Sequence, residues 1–225
     1  MDLAQTTRRG TLIDTLRDRL ILPIRDHDGD LTGFVGRDTA GNPRAPKYRN
    51  PTHTPTFEKA TAVYTPRSGP WARTTVVVEG PLDALAIAAS SAMANRPGAI
   101  TAVSALGTAA TAAQVDHVAT HAPGHIVIAL DGDTAGVEGT KRWVDAVCRS
   151  HRRPALVTQL PDGLDPADWL ALHGPEGLAA FDPEARRTGL GVWPGPAYPW
   201  RATAVRRPDA TVVPLPARDR TPTLR

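Results

Sequence analysis

Two apolar runs that end in carboxylates constrain this chain more than any other feature. Thr74 to Asp83 reads TTVVVEGPLD, and His125 to Gly136 reads HIVIALDGDTAG. Val76, Val77 and Val78 are β-branched, and Ile126 to Leu130 are continuously apolar, the pattern of parallel strands covered by helices on both faces. A helix is expected after each run. Pro81 suits a first helical turn, and Leu82, Leu85, Ala86 and Ala89 recur at helical spacing. Sites in open α/β sheets lie at the carboxyl ends of the strands, where this chain places Glu79, Asp83, Asp131 and Asp133. Period-two alternation puts Asp131 and Asp133 on one side as the strand runs out. Carboxylates gathered with few cations repel one another, and a hard divalent ion with oxygen ligands, Mg²⁺ or Mn²⁺, resolves that repulsion.

Taken in order, these motifs resemble a known domain. Glu79-Gly80 with Asp83 four residues after the Glu, then Gly107-Thr108-Ala109, then Asp131-Gly132-Asp133 followed by Ala135-Gly136, are similar to the TOPRIM domain. Bacterial replicative primases, type IA and type II topoisomerases and some nucleases share that domain. The form EGxxD, GTAxT, DGDxAG resembles the primase branch most.

The distribution of charge carries more than its sum. The 225 residues have a formal charge of +3. Residues 1–70 hold 11 Lys and Arg against 8 Asp and Glu, residues 71–181 hold 7 against 11, and residues 182–225 hold 8 against 4. An acidic middle between basic ends suits a polyphosphate substrate, with cations along its backbone and metal at the reacting phosphate; a solvated surface gives the same count. The single cysteine, Cys148, excludes an intramolecular disulfide and a cysteine-built zinc site, and its helical pattern with Trp143, Val144 and Val147 reads as a buried structural thiol. No apolar run approaches the roughly 20 residues of a membrane span, and residues 1–10 lack an apolar signal core. The expected compartment is the cytoplasm.

Before the acidic runs, Thr11 to Arg19 has a threonine start and Leu12, Ile13, Leu16 and Leu20 at helical spacing, which predicts a short amphipathic helix. Leu20–Arg25 and Leu31–Arg37 flank Asp28-Gly29, a hairpin signal. A Pro- and Gly-rich stretch from Gly41 to Thr56 follows, and Ser68-Gly69-Pro70 marks a boundary. After it, Ile100–Ser104 is the second strand, a helix is expected over Thr111–His121 and another over Ala135–Ser150. Pro154–Leu160 is a fourth strand, and a last helix carries Trp169, Leu170 and Leu172. The expected organisation is a small basic α+β lobe over 1–70, an α/β TOPRIM-type parallel-sheet domain over 71–181, and a basic tail over 182–225. That tail has 8 prolines in 44 residues and is expected to be disordered.

The N-terminal stretch also resembles primase. The order RLxxPIRDxxGxxxGFxGR, PKYxN, FxK and then a Tyr is similar to the second half of the polymerase lobe that precedes TOPRIM there. The resemblance implies that Lys47 and Lys59 lie near template or incoming nucleotide, that Arg37 is a basic position at its strand's end, and that Tyr48 and Asn50 share the motif. Lys and Arg are phosphate ligands, and Tyr offers a stacking face; a Pro-rich loop with incidental cations is the plainer reading. LPDGLDPAD, residues 160–168, resembles the sequence that ends the primase sheet, with Asp165 matching a further acidic position and Asp168 offset by one. Ala60 stands where that family usually has Gly.

By resemblance, Glu79, Asp83, Asp131 and Asp133, with Asp165, hold one or two metal ions for template-directed nucleotidyl transfer from nucleoside triphosphates on single-stranded DNA. Arg37, Lys47, Lys59 and Lys141 bind phosphates. The implied partners include a helicase or a separate chain that supplies the missing primase parts, and the setting suggested is a plasmid or phage. A TOPRIM nuclease, cutting DNA with the same carboxylates, and a noncatalytic nucleic-acid-binding module, whose binding would survive loss of Asp131, stay open. No GxxxxGK[ST] is present, which argues against a P-loop hydrolase, and Ala135 departs from a haloacid-dehalogenase pattern. His117, His121 and His125 are spaced by four, and exposed helix polarity is the expected reading.

Overall fold

This computed structural model describes residues 3–41, 45–51 and 53–184. The basic tail expected from Asp182 therefore lies, beyond Glu184, outside the described residues. Nine strands, four α-helices and one 3₁₀ helix are described, in three sheets.

The expected α/β layering is present. Strands β6 (Thr74–Val78), β7 (Ile100–Ser104), β8 (His125–Ile128) and β9 (Ala155–Val157) pair in parallel in the order β7-β6-β8-β9. All of β6 is buried, as a strand covered on both faces must be. Alternation divides its residues. Val76 and Val78 pack with Val127, Ala84, Ile87, Trp169 and Phe181 on one face. Val77 packs with Ile126, Ile128, Val115, Val118 and Trp143 on the other. Helices α1 (Pro81–Met93) and α4 (Pro166–His173), with the 3₁₀ turn Gly174–Ala180, cover the first face. Helices α2 (Ala112–His121) and α3 (Thr134–His151) cover the second, where Cys148 is buried as expected.

The N-terminal residues form antiparallel pairs. β1 (Ala4–Thr6) pairs with β2 (Leu12–Asp14), and β3 (Arg19–Arg25), β4 (Leu31–Asp38) and β5 (Tyr48–Arg49) make a three-stranded sheet. The hairpin signal at Asp28-Gly29 is realised between β3 and β4. Gly29 has φ 91°, and Asp26 accepts the Asp30 N–H through its side chain. Pro23 sits in β3, which pairs only with β4, the edge position that tolerates a missing N–H.

The helix expected over Thr11–Arg19 is not there. Leu12 pairs with Thr6, the Asp14 carboxylate accepts the Leu16 N–H at 2.8 Å, and Asp18 turns the chain at φ 57°. Leu16 is buried while Leu12 and Leu20 are exposed, so the helical spacing never formed a stripe. Side-chain capping by Asp gave the backbone an alternative to helix.

This sheet shares a core with the parallel one. Leu22, Ile24, Val35, Phe57 and Tyr64 join the cluster under α1, and Tyr64 exchanges two backbone hydrogen bonds with Ser104 of β7. At the hairpin tip His27 stacks on His121, ring centroids 3.9 Å apart, and His117 and Trp71 complete the stack. The reading of exposed helix polarity is corrected here for His117 and His121, both half-buried in this stack; His125 does open β8.

Burial, then His121 and His27, lower the His117 pKa to about 4, against a weaker pull from Asp116. A depressed imidazole contributes stability that is lost as pH falls from about 6.5 through about 4. Thermal unfolding is expected to show the native chain losing more stability across that window than His117→Gln. Parallel curves for the two proteins would rule out this coupling.

Candidate active site

The acidic residues arrive from three strand-to-helix turns at one edge of the parallel sheet, after β6, β8 and β9. Glu79 follows β6 directly, and its backbone carbonyl accepts the Ser104 hydroxyl at 2.7 Å and the Gly107 N–H at 3.1 Å. The turn containing Gly107 (φ 142°) therefore braces Glu79, a position where a left-handed backbone favours glycine. Asp83, on the first turn of α1, is 5% exposed, and both its oxygens are engaged. Oδ2 accepts the Gly80 N–H at 2.9 Å, and Oδ1 accepts the Ala167 N–H at 3.3 Å, tying the start of α1 to the start of α4.

Asp133 and Asp165 are helix N-caps. Asp133 accepts the Gly136 N–H at 2.7 Å and Asp165 the Asp168 N–H at 2.7 Å. Capping positions a carboxylate beside the positive end of a helix and satisfies a free N–H. Asp131 differs from its neighbours: its Oδ1 is buried and has no hydrogen-bond partner. The strand stops at Ile128, so Asp131 and Asp133 are placed by the turn and the cap rather than by strand alternation.

Electrostatics show how closely these groups are gathered. Burial, then Asp131 and Asp133, raise Glu79 to about 7. Burial, then Asp165 and Asp131, raise Asp83 to about 7. Burial, then Asp165, raises Asp131 to about 6. The charge of Lys47 opposes the shift at both Glu79 and Asp131.

The other basic and polar positions separate. Arg37 lies over the Tyr48 ring, 4.9 Å from its centroid, and the Tyr48 hydroxyl accepts the Leu82 N–H at 3.4 Å, next to the Glu79 turn. Arg37 thus covers the ring that the motif suggested for stacking. Asn50 Oδ1 is buried without a partner. Lys59 is exposed on the segment after Phe57. Lys141 lies on α3 and pairs with Glu138 one turn away, so its charge is already engaged.

Sequence reasoning missed Ser104, which holds the Glu79 carbonyl, and Gln114, which is buried. Thr111-x-x-Gln114 has the spacing of a capping box, a signal present in the chain. Among the described residues, no group of three or more His, Cys, Asp and Glu is arranged to hold a metal ion. The orphaned Asp131 oxygen amid mutually raised carboxyls is nonetheless the donor set a hard cation fits, since such ions keep several waters and take few protein ligands.

The sign of the pH dependence follows. A carboxyl whose folded pKa is raised stabilises the fold below its unfolded value and loses that contribution as pH rises through the folded one. Without divalent ions, the melting temperature is expected to fall between pH about 4 and about 7. Mg²⁺ is expected to raise it at pH 8 and not at pH 5, because binding must displace protons there. Calorimetry showing equal Mg²⁺ stabilisation at both values would contradict the assignment.

A parallel sheet of this order with acids at its carboxyl edge defines the class, and the comparisons agree. Residues 76–170 match the family model described as Toprim-like, and residues 1–68 match that of the DNA primase catalytic core, N-terminal domain. The DNA primase of Deinococcus radiodurans is 34% identical over 180 residues, covering 78% of this chain and 30% of that protein. The DNA primase of Halalkalibacterium halodurans is 33% identical over 178 residues, covering 77% and 28%. The DnaG primase catalytic domain solved bound to ssDNA superposes with a TM-score of 0.67 at 28% identity, covering 84% of this chain and 58% of that one. The chain belongs to the bacterial DNA primase family, and it spans less than a third of the length of these curated relatives. The resemblance carried by EGxxD, GTAxT and DGDxAG is borne out. No helix among the described residues is long and apolar enough to cross a membrane.

Proposed function

We propose that this chain is a catalytic portion of a DNA primase that joins ribonucleotides on single-stranded DNA. The observation that carries the reading is the buried, unpartnered Asp131 oxygen set among Glu79, Asp133 and Asp165 with Lys47 opposite. Mg²⁺ or Mn²⁺, when bound, supplies charge neutralisation at a phosphate and lowers the pKa of an attacking hydroxyl. Glu79 and Asp131 would be its first ligands, and Asp133 and Asp165 would steer it from their helix caps. Asp83 holds α1 against α4 and adds negative charge to the cluster.

Without a bound metal, burial and then Asp131 and Asp133 raise Glu79 to about 7, so where it is not a ligand it would instead serve as a general acid or base. Lys47 binds a phosphate beside the acids, with Lys59 and Arg37 along the nucleic-acid path. Tyr48 orients Arg37, and Asn50 offers an unpaired buried oxygen on the same segment. Lys141 contributes only after leaving Glu138. Residues 1–70 form the lobe that meets nucleic acid, 71–181 the metal domain and 182–225 a basic tail. A helicase, or a separate chain bearing the rest of the primase, is the proposed protein partner, and the cytoplasm the proposed location.

The test is incorporation of labelled ribonucleoside triphosphates on single-stranded DNA with Mg²⁺ or Mn²⁺. Metal-dependent oligonucleotides are expected. Metal-dependent cleavage of the template without synthesis would make the protein a TOPRIM nuclease; binding without chemistry would make it an accessory module.

A further inference from the structure

The structure assigns Gln114 as a positioning residue that sets Lys59 relative to the carboxylate site, an inference that rests on the phosphate-binding role proposed for Lys59. Gln114 is 1% exposed at the first turn of α2, and its side-chain amide meets three backbone carbonyls. Nε2 donates to Ala62 at 2.8 Å, Ala105 at 3.0 Å and Lys59 at 3.3 Å. An amide nitrogen has two protons, so one is shared, and three acceptors fix which end of the side chain faces them.

The other end is held as well. The Thr111 hydroxyl lies 3.2 Å from Gln114 Oε1 and 2.5 Å from the Ala60 carbonyl, and it accepts the Gln114 N–H at 3.1 Å. Residues Lys59 to Ala62 are thus bound to the start of α2 through three of their four carbonyls. Two of those bonds come from Gln114 and one from Thr111.

The third Gln114 acceptor gives the arrangement its consequence. Ala105 follows β7 directly and leads into Leu106 (φ 58°) and Gly107, whose N–H holds the Glu79 carbonyl. One side chain therefore joins the segment carrying a basic residue to the turn that braces an acid. Lys59 itself is exposed and belongs to a turn closed on Glu58, where Thr61 and Ala62 donate their N–H groups to the Glu58 carbonyl. With Gln114 gone, the buried Ala105 carbonyl and the part-buried Lys59 and Ala62 carbonyls lose this donor, and the segment must seek water.

The test compares native protein with Gln114→Met, which keeps the shape and removes both donors, and with Thr111→Val, which keeps the Gln114 donors and removes the α2 cap, the bond to Ala60 and the contact with the amide oxygen. Amide hydrogen exchange read by mass spectrometry is expected to rise at least about ten-fold over residues 58–64 in Gln114→Met, and less in Thr111→Val, with α1 and β8 unchanged. Affinity for a fluorescein-labelled single-stranded DNA is expected to fall as far as in Lys59→Ala, with no further loss in the double variant. A general destabilisation would instead multiply the two losses, because independent effects add in free energy. Unchanged exchange over 58–64 in both single variants, or multiplying losses, overturns the assignment. Increased exchange together with a Lys59→Ala protein that binds DNA normally leaves Gln114 as the positioning residue of this segment and removes Lys59 from the DNA site.

Discussion

Asp131→Asn is expected to lower metal-dependent primer synthesis on the order of a thousand-fold or more while making the metal-free protein more stable above neutral pH. The two signs have one cause. The Asp131 carboxylate has a buried oxygen without a partner and is repelled by Asp165 and Asp133. Asparagine keeps the shape, removes the charge and lifts the second-largest cause of the Glu79 shift. A carboxylate that is repelled by its neighbours and keeps one buried oxygen unpartnered fits the cation site proposed above.

Asp131 is a cleaner target than Asp133. Replacing Asp133 also removes the cap on Gly136, at a cost of about 1 kcal/mol, and would mix a folding defect with a chemical one. Ribonucleotide incorporation and thermal unfolding at pH 8 check both halves. Native-level synthesis by Asp131→Asn would remove this residue from the metal site; reduced synthesis with reduced stability would mean that its carboxylate has an ordinary structural role.

Gly136→Ala is expected to destabilise the protein by about 2 kcal/mol and to weaken Mn²⁺ binding with it. A Cβ on Gly136 would lie 2.1 Å from the Asp131 carbonyl oxygen and 2.9 Å from its carbonyl carbon. These are backbone atoms, so no side chain can swing aside. Overpacking costs roughly 1–3 kcal/mol and the backbone clash places this case at the upper end, while alanine returns about 1 kcal/mol of helix propensity. The shift in melting temperature is then about 4–8 °C for a chain of this size.

The same displacement moves Asp131, because helix α3 begins against that residue's own peptide. Glycine at this site is required by the close approach of helix and turn, not by a left-handed φ. Thermal unfolding paired with Mn²⁺ titration checks the coupling. A stability loss with native Mn²⁺ affinity would separate the packing of α3 from the geometry of the acids.

What the chain makes legible is governed by its local patterns. The parallel sheet was readable because Val76–Val78 and Ile126–Ile128 are apolar on both faces, and only helices above and below can bury such strands. The helix start at Pro81 was readable from proline chemistry, whereas the Thr111 cap and the start at Pro166 behind the Asp165 cap emerged only in the folded chain. The β3–β4 hairpin was readable from Asp28-Gly29. The helix predicted over Thr11–Arg19 failed because spacing alone does not reveal which side chains meet a core. Leu12 and Leu20 face solvent, and the Asp14 side chain held the backbone in a turn.

The acids divide in the same way. Their types and order, Glu79, Asp83, Asp131, Asp133 and Asp165, were determined by sequence, along with the family those motifs resemble. Only the tertiary structure decided their separate work, because hydrogen bonding depends on neighbours distant in the chain. Asp83 spends one oxygen on Ala167, 84 residues away, whereas Asp131 keeps an oxygen unpaired. Tertiary packing likewise brought Lys47 within electrostatic reach of the acids, laid Arg37 over Tyr48, drew His117 into a half-buried stack and closed Gln114 on three carbonyls. A sequence specifies which groups are available; burial and the partners assembled around each group determine whether it is satisfied, and the groups left unsatisfied are those free to bind.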